Sequence, residues 1–193
     1  MAARVVVLAS GSGTLLQSLL DSAGTGELPA HIAAVGSDVS DALALGRASA
    51  AGVPTFVCRP ADFPDRPSWD SALLLALREL EPDLIVSAGF MRILGPVVVD
   101  AYAGRIINTH PALLPAFPGA HPVRDALAYG VKVTGSTVHV VDHGVDTGPI
   151  LAQRAVEVLP DDDEASLHER IKVVERELLV ATVAKMTTDR RDQ

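Results

Sequence analysis

Three features of the sequence predict an α/β fold. Strand-like and helix-like segments alternate along the chain, the strand segments are apolar throughout, and a glycine-rich turn joins the first strand to the first helix. Strands apolar on both faces belong to parallel sheets covered on both sides. The prediction is therefore one domain over residues 1–193, a three-layer sandwich with a mainly parallel, Rossmann-like sheet between helix layers. In such folds ligands bind at the carboxyl ends of the strands.

The elements follow in order. Val5-Val6-Val7-Leu8 is a β-branched run that reads as a buried strand. Gly11, Ser12 and Gly13 follow Ser10, and Thr14 and Leu15 open a helix over residues 14–21. Strand, glycine loop and helix present backbone N–H groups and a positive helix end to a phosphate. The loop is not a dinucleotide fingerprint, because Leu16 stands at the third glycine position, nor a Walker loop, because no Lys follows. Its spacing does not fit a nucleophile elbow either. A ligand-free turn is the plain alternative to phosphate binding.

Residues 32–35 form a second strand that ends near Asp38, which fits either a ribose contact or a turn. Residues 42–51 read as a helix closed by Gly52, and residues 55–58 as a third strand. Residues 59–67 are a proline-broken loop carrying Arg66. Residues 69–80 are apolar at helical spacing, with Trp69 a core anchor. Leu84-Ile85-Val86 is the next buried strand. Phe90, Met91, Ile93 and Leu94, with Arg92 among them, either continue the core or line a pocket for a flat ligand. A short helix over residues 97–102 is entered through Pro96.

The stretch from Ile106 to Gly119 begins as a strand and becomes a proline-rich loop. Asn108 and His110 stand two apart and so share one strand face. Pro111 keeps His110 extended. An amide donor beside a titratable imidazole can polarise a carbonyl and move a proton, and a plain strand end is the alternative. A helix over residues 121–129 ends at Gly130, and residues 131–141 form a long strand. Asp142, His143, Gly144, Val145 and Asp146 lie in a polar loop whose acids also suit turns. A strand over residues 150–158 and an amphipathic helix over residues 163–186 complete the order. On that helix Lys172 and Glu175, three apart, read most simply as an exposed ion pair. The polar tail over residues 187–193 is expected to fray.

Composition narrows the function. A net charge of −8 argues against nucleic acid and anionic membrane surfaces as partners. No segment has the length of a membrane span or a signal peptide, and the single Cys58 permits no internal disulfide, which suits a cytoplasmic location. His139 and His143, four apart in extended chain, lie about 13 Å from each other, too far for one ion. No metal is expected.

These residues carry a resemblance. From Val5 to about Met186 the sequence resembles the folate-dependent phosphoribosylglycinamide formyltransferase family. The likeness is strongest in Ala88-Gly89-Phe90-Met91-Arg92-Ile93-Leu94, Asn108-Thr109-His110-Pro111-Ala112-Leu113-Leu114-Pro115, and the loop from Asp142 to Pro149. The resemblance implies a formyltransferase fold with Asn108, His110 and Asp146 as the catalytic trio. It implies ribonucleotide binding at Gly11, Ser12, Gly13, Thr14, Leu15, Lys172 and Glu175. It implies folate binding at Arg66, Met91, Arg92, Ile93, Leu94, Asn108, Asp142, His143, Gly144, Val145 and Asp146. One position departs: many relatives read G-x-G-S-N where this chain has Gly11-Ser12-Gly13-Thr14-Leu15, so Leu15 can offer a phosphate only its backbone N–H.

The activity so implied is formyl transfer from 10-formyltetrahydrofolate, as co-substrate, to the amine of glycinamide ribonucleotide in purine biosynthesis. No nicotinamide or flavin is expected, because the formyl group already has the product's oxidation state, and no metal is expected, because no Cys/His/acid cluster has ligand spacing. The expected partners are these two small molecules, with a homodimer possible through an apolar helix face. The alternatives are a formyltransferase acting on initiator tRNA or an amino-sugar nucleotide, formyltetrahydrofolate hydrolase, or a non-catalytic binding module. The first group typically carries a further C-terminal domain and the hydrolase a preceding one, neither of which this sequence displays.

Overall fold

The computed structural model describes residues 2–189. Seven strands form one sheet: β1 (Ala3–Leu8), β2 (Ala30–Ser37), β3 (Thr55–Val57), β4 (Leu84–Ser87), β5 (Ile106–His110), β6 (Val133–Val140) and β7 (Ile150–Glu157). Six α-helices alternate with them: α1 (Thr14–Thr25), α2 (Leu43–Ala50), α3 (Arg66–Leu80), α4 (Pro96–Ala101), α5 (Pro122–Tyr129) and α6 (Glu164–Asp189). The strand order is β3-β2-β1-β4-β5-β6-β7, parallel through β5 and antiparallel at β6 and β7. The predicted α/β sandwich with a mainly parallel sheet is the observed fold.

The period-2 pattern of each strand divides the core in two. Val5, Val7, Val86 and Ile107 join Leu16, Leu19, Leu179 and Val183 on the α1/α6 side. Val6, Leu8, Ile85 and Ile106 join Trp69, Leu73, Leu77 and Val98 on the α3/α4 side. Trp69 also donates its indole N–H to the Cys58 carbonyl at 2.8 Å, so the one buried polar atom of that anchor is satisfied.

Several boundaries differ from expectation: α1 runs four residues past Asp21 to Thr25, β2 extends beyond residues 32–35 at both ends, and two further differences have a plain cause. α3 starts at Arg66 rather than Trp69, because Asp65 caps it by accepting from Ser68 N at 2.8 Å and a proline is tolerated in the first turn. The tail expected to fray from residue 187 instead continues α6 to Asp189. Thr187 is buried and bonds the Val183 carbonyl at 2.8 Å. Residues 190–193 lie outside the described residues. No helix among the described residues is long and apolar enough to cross a membrane.

The strand order places the site. β1 leads outward to β2 and β3, and the chain then returns to place β4 on the other side of β1. The loops leaving β1 and β4 therefore diverge at the topological switch point, where doubly wound sheets open a crevice. The carboxyl end of β5 borders the same crevice.

Candidate active site

A cavity of about 550 Å³ occupies that crevice. Its lining draws on the loop after β1, the loop after β4, the end of β5, the β6–β7 loop and the first turns of α6.

At one end lies the glycine loop. Gly13 has φ 70°, and a Cβ there would stand 2.8 Å from Ala44 Cα, so the turn requires glycine. No side chain caps α1 and no acid lies in its first turn, which leaves its amide donors facing the cavity. Leu15 is buried in the core, so it brings only its N–H. Arg47 braces the loop from behind, donating to the Ser12 carbonyl at 2.7 Å and to Gln17 Oε1 at 3.0 Å.

At the other end lies the segment after β4. The two readings of its apolar run each hold for half of it: Phe90 and Leu94 are buried, whereas Met91 and Ile93 are 76% and 63% exposed. Arg66 and His143, grouped with the folate contacts in the sequence reading, do not line the cavity. Arg66 instead holds the segment in place, donating to Asp70 at 2.8 Å and to the Ile93 carbonyl. His143 turns outward to Asp100 at 3.0 Å, because its loop position faces solvent. Asp38 is committed as well: it accepts from Ser10 and Arg92, which leaves its carboxylate no free edge for a ribose.

Between the two ends the polar side chains converge. Asn108 and His110 share the β5 face that carries Ile106, as their spacing predicts. The register of the antiparallel β5–β6 pair sets His139 opposite Asn108. The β6–β7 loop leaves the sheet level with Ile106 and folds back over this face. Asp142 shapes it by accepting from Gly144 N at 3.0 Å and Thr147 Oγ1 at 2.8 Å. Asp146 adopts φ 56°, a left-handed conformation that aspartate tolerates better than most residues. There its Oδ2 accepts from Gly119 N at 2.8 Å and stands 3.4 Å from His110 Nδ1, while Oδ1 stands 3.5 Å from His139 Nε2. Burial pushes the Asp146 carboxyl up. The His139 ring, the Gly119 N–H and the charge of His110 outweigh it and hold the group below its usual range.

His110 is buried and donates Nε2–H to the Phe117 carbonyl at 2.7 Å. That bond assigns one proton, so Nδ1, facing Asp146, is the nitrogen that gains or releases the second. His139 donates Nδ1–H to the Val140 carbonyl at 2.9 Å, and its Nε2 lies 3.3 Å from Asn108 Nδ2. Nε2 thus stands between the Asn108 amide and Asp146 Oδ1. Sequence reasoning considered His139 only as half of a metal pair. Its cross-strand register with Asn108 was the available signal, and it needed the β5–β6 pairing to be known. Among the described residues, no group of three or more His, Cys, Asp or Glu side chains could hold a metal ion.

α6 closes a further side of the cavity. Glu164, His168, Lys172 and Glu175 reach the cavity from successive turns. Lys172 pairs with Glu169 at 2.7 Å rather than with Glu175. Glu175 is 5% exposed, and burial raises its carboxyl above the usual range. Hydrogen bonds from Thr109 and Ser136 and the charges of Lys172 and Arg176 oppose this only in part.

A doubly wound sheet with an amide, two imidazoles and a carboxylate gathered at its switch point defines a group-transfer enzyme of the formyl transferase family, to which the chain belongs: the family model for formyl transferase matches residues 3–183. Among curated relatives, a phosphoribosylglycinamide formyltransferase of Mycobacterium tuberculosis is 62% identical over 186 residues, covering 96% of this chain and 86% of the relative. Among solved structures, a glycinamide ribonucleotide transformylase of Symbiobacterium toebii superposes with a TM-score of 0.95 at 44% identity, covering 97% of this chain and 89% of that one. A second such transformylase, from Geobacillus kaustophilus, gives 0.93 at 43% identity, with coverage of 97% and 100%.

Proposed function

We propose that this chain transfers the formyl group of 10-formyltetrahydrofolate to the primary amine of N1-(5-phospho-D-ribosyl)glycinamide, a step of purine biosynthesis. The observation that carries the reading is the convergence of Asn108, His110 and Asp146 midway along a cavity with a phosphate-type loop at one end and an apolar segment at the other. The names of the similar proteins support the same substrates.

In this reading the ribonucleotide phosphate lies against the amides of Gly13, Thr14 and Leu15, with Lys172 and Glu175 near the sugar. The folate ring lies between Met91, Arg92, Ile93, Leu94 and the loop carrying Asp142, Gly144, Val145 and Asp146. Arg66 holds the Ile93 carbonyl at the edge of that pocket with its side chain half exposed, within reach of the outer part of the folate, and His143 faces Asp100 on the outside of the loop. The amine attacks the formyl carbon directly, so no enzyme nucleophile is involved. Negative charge develops on the formyl oxygen, where the Asn108 amide and the Nδ1–H of protonated His110 donate. That Nδ1–H is held only loosely by Asp146, at 3.4 Å, and a formyl oxygen seated beside Asp146 can share it without the ring turning. The C–N bond to the folate then breaks. The amine proton passes to the departing folate nitrogen, with Asp146 balancing the charge on His110 throughout.

A labelled formyl donor tests this. Supplied with glycinamide ribonucleotide, with initiator methionyl-tRNA, or alone, the enzyme is expected to place label on the ribonucleotide only. Label released as formate at the same rate without acceptor, or carried to tRNA, refutes it.

A further inference from the structure

The loops assigned above to the two substrates leave neighbouring strands, β1 and β4, and one buried carboxylate joins them. Asp38 follows β2 and its side chain is 1% exposed. Its Oδ1 accepts from Ser10 Oγ at 2.5 Å, and its Oδ2 accepts from Arg92 Nε at 2.7 Å. Ser10 Oγ in turn accepts from Met91 N at 2.8 Å, and Ser10 N donates to the Gly89 carbonyl at 3.1 Å. Both carboxylate oxygens of Asp38 and the Ser10 hydroxyl are therefore spent on tying the segment before Gly11 to residues 89–92. Asp38 and Ser10 do not line the cavity, whereas Arg92, bound through Nε alone, does.

A buried carboxylate with one cationic partner is a poor choice for stability alone, because desolvation offsets much of the attraction. What it supplies is geometry. Beside the Ser10–Gly89 and Met91–Ser10 bonds, Asp38 is the side chain that joins the glycine loop to the far end of the segment after β4, at Arg92. With both oxygens of Asp38 engaged, a displacement of one loop is transmitted to the other. We propose that Asp38, with Ser10, is a positioning residue that fixes the ribonucleotide loop relative to the folate segment, so that occupancy of one subsite favours occupancy of the other and amine and formyl carbon meet in line. This rests on the substrate assignment proposed above.

The test uses the purified full chain, with wild type, Asp38→Asn, Ser10→Ala and the double variant. Tetrahydrofolate affinity is measured by calorimetry with and without saturating glycinamide ribonucleotide, and formyl transfer by steady-state kinetics. Wild type is expected to bind tetrahydrofolate more tightly when the ribonucleotide is present. In Asp38→Asn that ratio should fall to near one and kcat/KM should drop by about 10- to 100-fold, with most of the loss in kcat at saturating substrate. The double variant should lose little more than either single one, since both act through the same tie. Ser10→Ala leaves the ion pair intact and keeps the test open if Asp38→Asn folds poorly. A variant that loses thermal stability but retains the wild-type affinity ratio and kcat makes Asp38 a stability element only and overturns the proposal. So does a wild-type enzyme that shows no ratio. Absence of any formyl transfer by wild type would instead refute the substrate assignment itself, which separates the two failures.

Discussion

At the scale of the residue, chemistry depends on where single protons are held. The Phe117 carbonyl commits one proton to His110 Nε2, and Asp146 faces the other nitrogen. Removing a donor aimed at a developing oxyanion costs about two to three decades in turnover. Asn108→Ala, His110→Ala and Asp146→Asn are each expected to lower kcat by about that much while the far-ultraviolet circular dichroism stays unchanged. A well-folded His110→Ala protein with near-normal turnover would remove His110 from the mechanism. The carboxyl of Asp146, held below its usual range, contributes stability that is fully present above the unfolded pKa of about 4 and is lost as pH falls through the lower folded value. The gap in melting temperature between wild type and Asp146→Asn should accordingly be constant from pH 7 down to about 4 and close below it. A gap that widens in acid would contradict that sign. That Asn108 and His110 share one face was legible from their spacing, while their role came only from the family resemblance. Their partner His139 was not legible, because a strand register joins residues 31 apart in sequence.

At the scale of the element, two pieces of regular structure are shaped around the cavity. The start of α1 owes its open amides to Gly13, whose φ of 70° and close approach to Ala44 exclude a branched side chain. Gly13→Val should weaken ribonucleotide binding at least tenfold by calorimetry while leaving tetrahydrofolate affinity nearer to normal. Unchanged ribonucleotide affinity would mean that the phosphate binds elsewhere. α6 buries a stripe at helical spacing that includes Leu167, Ile171, Glu175, Leu178 and Thr182. Thr182 satisfies itself by bonding the Leu178 carbonyl at 2.7 Å, but Glu175 keeps its carboxyl at the cost of burial. Because its folded pKa is raised, the stability tied to its proton is complete below about pH 4.3 and is lost as pH rises through the folded value. Glu175→Gln is therefore expected to melt higher than wild type at pH 8 and to show no such advantage at pH 4. A lower melting point at pH 8 would show that the charged form is the better accommodated one. The sequence read Glu175 as half of an exposed ion pair, since a helical wheel cannot tell which polar position turns inward.

At the scale of the whole molecule, the sheet divides two cores whose residues alternate along each strand. The helices on either side hold the strand ends, and hence the loops, in register. Leu77 of α3 is fully buried against β1 and β4 side chains, well away from the cavity. Leu77→Ala should cost about 2–5 kcal/mol in denaturant unfolding while leaving KM for both substrates unchanged at low temperature. A large change in KM would show that the α3/α4 core transmits strain to the site.

By itself the sequence determined the order and kind of the elements, the parallel character of the sheet, the glycine loop and the pairing of Asn108 with His110. All of these are written in short-range patterns: apolar runs, a period of two, glycine and proline punctuation. Only the tertiary structure decided that β6 runs antiparallel and places His139 beside Asn108. It also decided that Arg66 braces a segment instead of lining the cavity, that His143 faces outward, and that Asp38 ties two loops together. Each of those facts joins residues distant in the chain, and a contact between distant residues exists only once strand order and register have brought them together.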